Sequence, residues 1–167
     1  KEKAERERIE DVVRLSGKGR NGVYRVGDYY DDGTKRGVVF EVDKSGRHGK
    51  IVSIVLVWDD IHTRRSWARS PVWGKDYAKE HLGLLDKHDG WQNQQKVMQI
   101  KDWRKHYPAF AFCADLGEGW YLPAIEELLV FIREGSVRDA VSKTLEAKNS
   151  RLNDDGTAYW SSTEYPE

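Results

Sequence analysis

The chain has 167 residues, 38% of them hydrophobic and 34% charged, with seven Trp and eight Tyr; that suffices for one packed domain and argues against disorder. Lys plus Arg and Asp plus Glu balance at 28 each, which gives no general support for a nucleic-acid backbone as partner. The single cysteine, Cys113, excludes an internal disulfide framework and a Cys-based zinc cluster.

Residues Lys1 to Leu15, "KEKAERERIEDVVRL", have helical spacing, with Ile9, Val12 and Val13 forming a thin apolar stripe. This is a solvated connector helix or, alternatively, a short coiled coil or a link to an upstream domain of a longer polypeptide. "SGKGRNG" closes it, so residues 1–20 are expected to be a connector and residues 21–167 a domain. Three strands are predicted next, "GVYRVGDYY", "GVVFEVD" and "KIVSIVLVW", joined by the turns "DDGTKRG" and "KSGRHG" as an antiparallel meander. The run "IVSIVLV" is apolar on both faces and is expected to be the central, most buried strand.

From Asp59 to Asp89 the periodicity fades into a polar stretch punctuated by Trp67, Trp73 and Tyr77, read as a long loop layer with one short helix near "GKDYAKEHLGLL". Helical spacing returns in "NQQKVMQIKDW" and in "YPAFAFCADLG", the second closed by Gly117. Cys113 in this second segment is expected to be a small buried core residue. "LPAIEELLVFIREG" places Pro123 at a helix start and Glu126 and Glu127 near its positive end. In "SVRDAVSKTLEAK", Ser136 is the cap candidate and Val137, Val141 and Leu145 form the inner face. A turn-rich loop then leads into "AYWSSTE", read as a strand. No run reaches the roughly 18 apolar residues of a membrane span, and no transmembrane segment is expected.

No constellation stands out as catalytic, and the chain is read as a non-enzyme. "GKGRNG" matches G-x-G-x-x-G but follows a helix and precedes a strand, the reverse of the dinucleotide-binding order. Asp28, Asp31 and Asp32 before Gly33 lack calcium-loop spacing and read as a turn, as does "NDDG" at Asn153 to Gly156. The histidines, His48, His62, His81, His88 and His106, never fall at metal-ligand spacing. Neither metal nor cofactor is therefore expected. Ser161 and Ser162 lack a nucleophile-elbow context. The basic and aromatic run "HTRRSWARSPVWGKDYAK" offers phosphate and stacking contacts, but packing of the loops by their own aromatics is preferred, and no nucleic acid is expected.

"GEGWYLPAIEELLVFI" followed further on by "YWSSTE" resembles a bacterial family of C-type-lectin-like domains, including the C-terminal lectin domain of Legionella collagen-like adhesins and domains of the Fibrobacter paralogous type. The likeness extends over roughly Gly22 to Glu164 and, more distantly, to the formylglycine-generating-enzyme fold. It implies an α+β, C-type-lectin-like fold of antiparallel strands with two or three packed helices and long aromatic-rich loops, preceded by the N-terminal helix. Trp120, Leu122, Pro123 and Glu127 then start the second helix, Trp160 is the core Trp of a central strand, and Ser161 and Ser162 complete the motif. These are fold-determining positions, not ligand contacts. The Glu-Pro-Asn, Gln-Pro-Asp and Trp-Asn-Asp motifs of calcium-dependent sugar binding do not occur. Family members continue past "WSSTE" to a last strand that this chain is expected to lack. In relatives diversified by retroelements, that stretch is the hypervariable ligand-binding face.

The resulting expectation is a ligand-binding or display module, with the scaffold of such a variable protein as its more specific form. Trp67, Trp73, Tyr77, Trp91 and Tyr165 are its candidate contacts, an unidentified protein or glycan its ligand, and the cell surface or exterior its favoured location. The rivals are an enzyme on the related sulfatase-modifying fold and an assembly domain completed by a partner strand.

Overall fold

Two polar turns build the sheet. In the first, Asp32 Oδ1 accepts the amides of Thr34 (2.9 Å) and Lys35 (2.7 Å) and the Thr34 hydroxyl. Those bonds, led by the one from Lys35, hold the Asp32 carboxyl well below the usual carboxylate range. In the second, Asp43 Oδ1 accepts both the amide and the hydroxyl of Ser45, and the hydroxyl contact leads in lowering the Asp43 pKa. The acidic cluster of the first turn thus spends its oxygens on closing a hairpin.

The computed structural model describes residues 22–55, 82–152 and 159–164. The connector over residues 1–20, the aromatic stretch with Trp67, Trp73 and Tyr77, and Tyr165 lie outside the described residues. The chain divides into two compact units, Lys1–Leu56 with Val130–Asp154, and Val57–Leu129 with Asp155–Glu167. Among the described residues the architecture is mixed α+β, with one three-stranded antiparallel sheet and five helices.

In the first unit the strands are β1 (Tyr29–Asp31), β2 (Arg36–Val42) and β3 (Gly49–Ser53), in the order β1-β2-β3. The expectation that the third strand is central is therefore corrected, because a meander places its second strand in the middle. Burial agrees: Val38, Val39 and Phe40 of β2 are all buried, whereas β3 contributes Val52. Three consecutive buried side chains break the alternation of a regular strand. The register explains it: Val39 pairs with Ile51 and Glu41 with Lys50, so Phe40 is an extra, bulged residue. Its ring lies 4.8 Å from that of Phe131, centre to centre.

Helix α5 (Ser136–Ala147) packs on β2 and buries Val141 and Leu145, as the four-residue spacing implies. Its cap is Gly135, not Ser136, which occupies the first helical position without a side-chain cap bond. Gly27 (φ +92°) makes the close approach possible, since a Cβ there would sit 2.9 Å from that of Ala140. The Gly27 carbonyl accepts the Thr144 hydroxyl, and Lys148 Nζ lies 4.0 Å over the Tyr29 ring.

The second unit holds α1 (Gly90–Met98), α2 (Trp103–His106) and α3 (Pro108–Asp115). The sequence predicts one continuous helix across α1 and α2, but the chain breaks between them at Asp102, which adopts a left-handed conformation (φ 56°). A buried cluster of Leu84, Val97, Tyr107, Ala109, Phe110 and Leu122 forms the core, with Cys113 packed at its margin. Burial pushes the Cys113 thiol up to about 12. Helix α4 (Ile125–Ile132) begins in this unit, and its last turn belongs to the first.

Candidate functional site

The second unit contains a polar lock joining three irregular segments, residues 82–89, 121–125 and 159–164, to the start of two helices. Helix α1 begins where Asp89 accepts the Trp91 amide, 3.0 Å away. Gly90 follows because only a residue without a side chain fits: a Cβ would lie 2.6 Å from the Ala124 nitrogen, 2.9 Å from Glu127 Oε1, and closer still to the Leu122 carbonyl.

Glu127 is the centre of that approach. It is 2% exposed, and its Oε1 accepts the amides of Gly90 (2.6 Å) and Ala124 (3.0 Å) while Oε2 accepts the Tyr121 hydroxyl (2.6 Å). Glu127 lies three residues after Ala124, so the Ala124 contact is the carboxylate half of a capping box. The Gly90 contact ties the start of α4 to the start of α1. Tyr121 in turn leans on Trp91, ring centres 6.2 Å apart.

Two buried amides on the inner face of α1 extend the lock. Gln94 donates to the Phe110 carbonyl (3.0 Å) and accepts the Leu122 amide (3.3 Å). Asn93 accepts the Asp86 amide (3.2 Å), donates to the Asp86 carbonyl (2.8 Å), and donates to Ser162 Oγ (3.0 Å). One side chain thereby imitates a strand pairing with Asp86. Buried amide groups need such partners, since each oxygen or nitrogen left unpaired would cost about 1–3 kcal/mol.

The segment 159–164 enters through its last three residues. Ser162 donates its amide to the Pro123 carbonyl (2.7 Å). The Thr163 hydroxyl donates to the Asp86 carbonyl (2.8 Å) and accepts the Ile125 amide (3.0 Å). Glu164 donates its amide to the Leu84 carbonyl (2.9 Å), and its carboxylate accepts the amides of Leu82 (2.9 Å) and Leu84 (2.8 Å).

Of the sequence-derived positions, Leu122, Glu127 and Ser162 are buried in or beside this lock, and Trp120, Pro123 and Ser161 are half-buried. The expectation for Trp160 is corrected. It is 52% exposed, and residues 159–164 form no strand. The segment is held by side-chain and single backbone bonds and not by a ladder, so no core face exists for the Trp to enter. Trp91, a candidate ligand contact, is half-buried against Tyr121. Trp67, Trp73, Tyr77 and Tyr165 lie outside the described residues.

Asn93, Gln94, Gly90, Asp86 and Glu164 carry much of the lock without having been singled out by sequence for that role. A signal existed for the two amides: Gly90, Asn93, Gln94 and Val97 fall at i, i+3, i+4 and i+7, the spacing of a buried helical face. Polar residues on that face need partners.

Chemically, the lock is a set of satisfied hydrogen bonds. Both oxygens of Glu127 are engaged, and Ser162 Oγ accepts from a neutral amide, not from a base. Among the described residues no three His, Cys, Asp or Glu side chains are grouped to hold a metal ion. No helix there is long and apolar enough to cross a membrane. No family model, no curated protein and no solved structure matches the chain.

Proposed function

We propose that the chain is a non-enzymatic ligand-binding or display module of C-type-lectin-like fold, with Trp160 in its ligand-facing surface. The observation that supports this reading is the contrast within one short segment. Trp160 is 52% exposed, yet Ser162, two residues on, is fully buried and bonded to Asn93 and Pro123. A half-exposed indole on a backbone anchored two residues on is a ready contact, because aromatic residues dominate binding surfaces and a pre-ordered loop loses little freedom on binding.

The motif residues support the fold half of the proposal in a second way. Leu122, Glu127 and Ser162 are buried, as the resemblance implies for fold-determining positions, whereas Trp160, which it places in the core, is not and is assigned here to the binding surface instead. Trp67, Trp73, Tyr77, Trp91 and Tyr165 remain part of the proposed binding surface. The extension to a retroelement-diversified scaffold is tested at the coding locus, where an adjacent reverse-transcriptase gene would support it and a locus without one would contradict it.

The binding proposal is tested by screening the full chain against arrayed glycans and secreted proteins, then repeating each hit with Trp160→Ala. A ligand whose Kd weakens at least tenfold in the variant, with the variant still cooperatively folded, is the expected result. Hits that bind the variant equally well would remove Trp160 from the surface.

A further inference from the structure

The segment Ser162–Glu164 is read by its unit almost atom by atom. Each of its three residues meets a partner within residues 82–125 through its side chain, at sequence separations of 38 to 82 residues, and Ser162 and Glu164 also through their amides. The Ser162 hydroxyl fits a site with no solvent exposure. The Thr163 hydroxyl must both donate and accept. The Glu164 carboxylate faces two backbone N–H groups, those of Leu82 and Leu84. Seen from the other side, residues 82–125 form a slot that specifies a small hydroxyl, a second hydroxyl and an acid, in that order.

What retains the segment differs from what retains a core strand. Across residues 159–164 there is no ladder, the largest side chain is open to solvent, and the fully buried side chain is a serine. Segments with little buried apolar area open more readily than the core around them. Main-chain bonds combined with side-chain pockets are also the ordinary chemistry of peptide recognition.

We propose that the slot is a peptide-reading site, filled by the chain's own Ser162–Glu164 and able to exchange it for the same tripeptide of a second copy of the chain. Exchange breaks and remakes identical hydrogen bonds, so it sacrifices no contact. The balance is set by the effective concentration of the chain's own covalently attached segment, taken as on the order of millimolar, against the concentration of the incoming one.

The test uses a labelled peptide, Tyr-Trp-Ser-Ser-Thr-Glu with an amidated end, titrated by fluorescence polarisation into the 167-residue wild-type chain and its Glu164→Ala variant. The variant, whose own segment has lost its two-amide clamp, is expected to bind the peptide at least tenfold more tightly than wild type. Replacing the peptide's Glu by Gln is expected to weaken that binding at least tenfold. Equal binding by both chains, equal binding of both peptides, or no binding to the folded variant would overturn the proposal. Should Glu164→Ala fail to fold, Thr163→Val carries the same comparison. Wild type at about millimolar concentration should sediment partly as a dimer that excess peptide dissociates, and a strictly monomeric chain there would overturn exchange between copies.

Discussion

Replacing Glu127 with Ala removes the acceptor of three hydrogen bonds at once. The Gly90 and Ala124 amides are buried and would be orphaned, at about 1–3 kcal/mol each, whereas the half-buried Tyr121 hydroxyl can turn to water. The expected loss is therefore about 4 kcal/mol, a large share of the 5–15 kcal/mol typical of a folded chain. Glu127→Gln separates charge from connectivity. Its carbonyl oxygen still accepts both amides, and the Tyr121 hydroxyl can accept from the new NH2 group, so only the charge-assisted strengthening is lost, about 1–2 kcal/mol. Glu126→Ala, one position away and exposed, is the control and should stay within about 0.5 kcal/mol of wild type. Urea unfolding followed by far-ultraviolet circular dichroism, with the denaturant slope unchanged, measures all three. If Glu127→Ala cost no more than Glu127→Gln, the two orphaned amides would not be what Glu127 holds.

Four further outcomes follow from the same geometry. Gly90→Ala should destabilise by about 1–3 kcal/mol, since its Cβ meets backbone that cannot swing aside, and should lower Tm by several degrees. Leu145→Ala, at a fully buried position of the first unit, should cost about 2–5 kcal/mol in urea unfolding. Trp160→Ala should cost about 1–2 kcal/mol, for the covered half of the indole; a cost of about 3–5 kcal/mol would instead place it in a core. The Cys113 thiol, raised to about 12 from an ordinary value of 9.0, carries roughly a thousandfold less thiolate at pH 8 than an unperturbed one. Its reaction with a disulfide reagent should be slow in native protein, accelerate sharply in urea, and rise with pH through the alkaline range.

The elements whose signals are local were legible in sequence. Asp31 to Thr34 and Asp43 to Gly46 announce turns because their side chains bond their own backbone, and the strands between them follow. Val141 and Leu145 are buried because their spacing places them on one helical face. The apolar run at Ile51 to Val57 misled, because hydropathy reports how much a strand would gain from burial and not where pairing places it. The break at Asp102 escaped because a left-handed residue leaves no periodic trace. The lock escaped for a different reason. Asn93 meets Ser162 across 69 residues and Glu164 meets Leu82 across 82, between segments with no repeating pattern. Trp160 was misplaced for the same cause: an aromatic in a β-tolerant run predicts a strand, but Ser162, Thr163 and Glu164 use side chains to make the bonds a ladder would have made.

Backbone hydrogen exchange tests the lock most directly. The amides of Leu82 and Leu84 donate to Glu164, those of Gly90 and Ala124 to Glu127, and that of Ile125 to Thr163. All five lie in loops or at the first turns of helices, where exchange is ordinarily fast. Exchange slower than that of open loops is expected at all five in wild type, slowest at Gly90 and Ala124 and intermediate at Leu82, Leu84 and Ile125, whose acceptor segment opens. Leu82 and Leu84 are released selectively by Glu164→Ala and Gly90 and Ala124 by Glu127→Ala. Loop-like exchange at these amides in wild type would contradict the lock and, with it, the fixed presentation of Trp160.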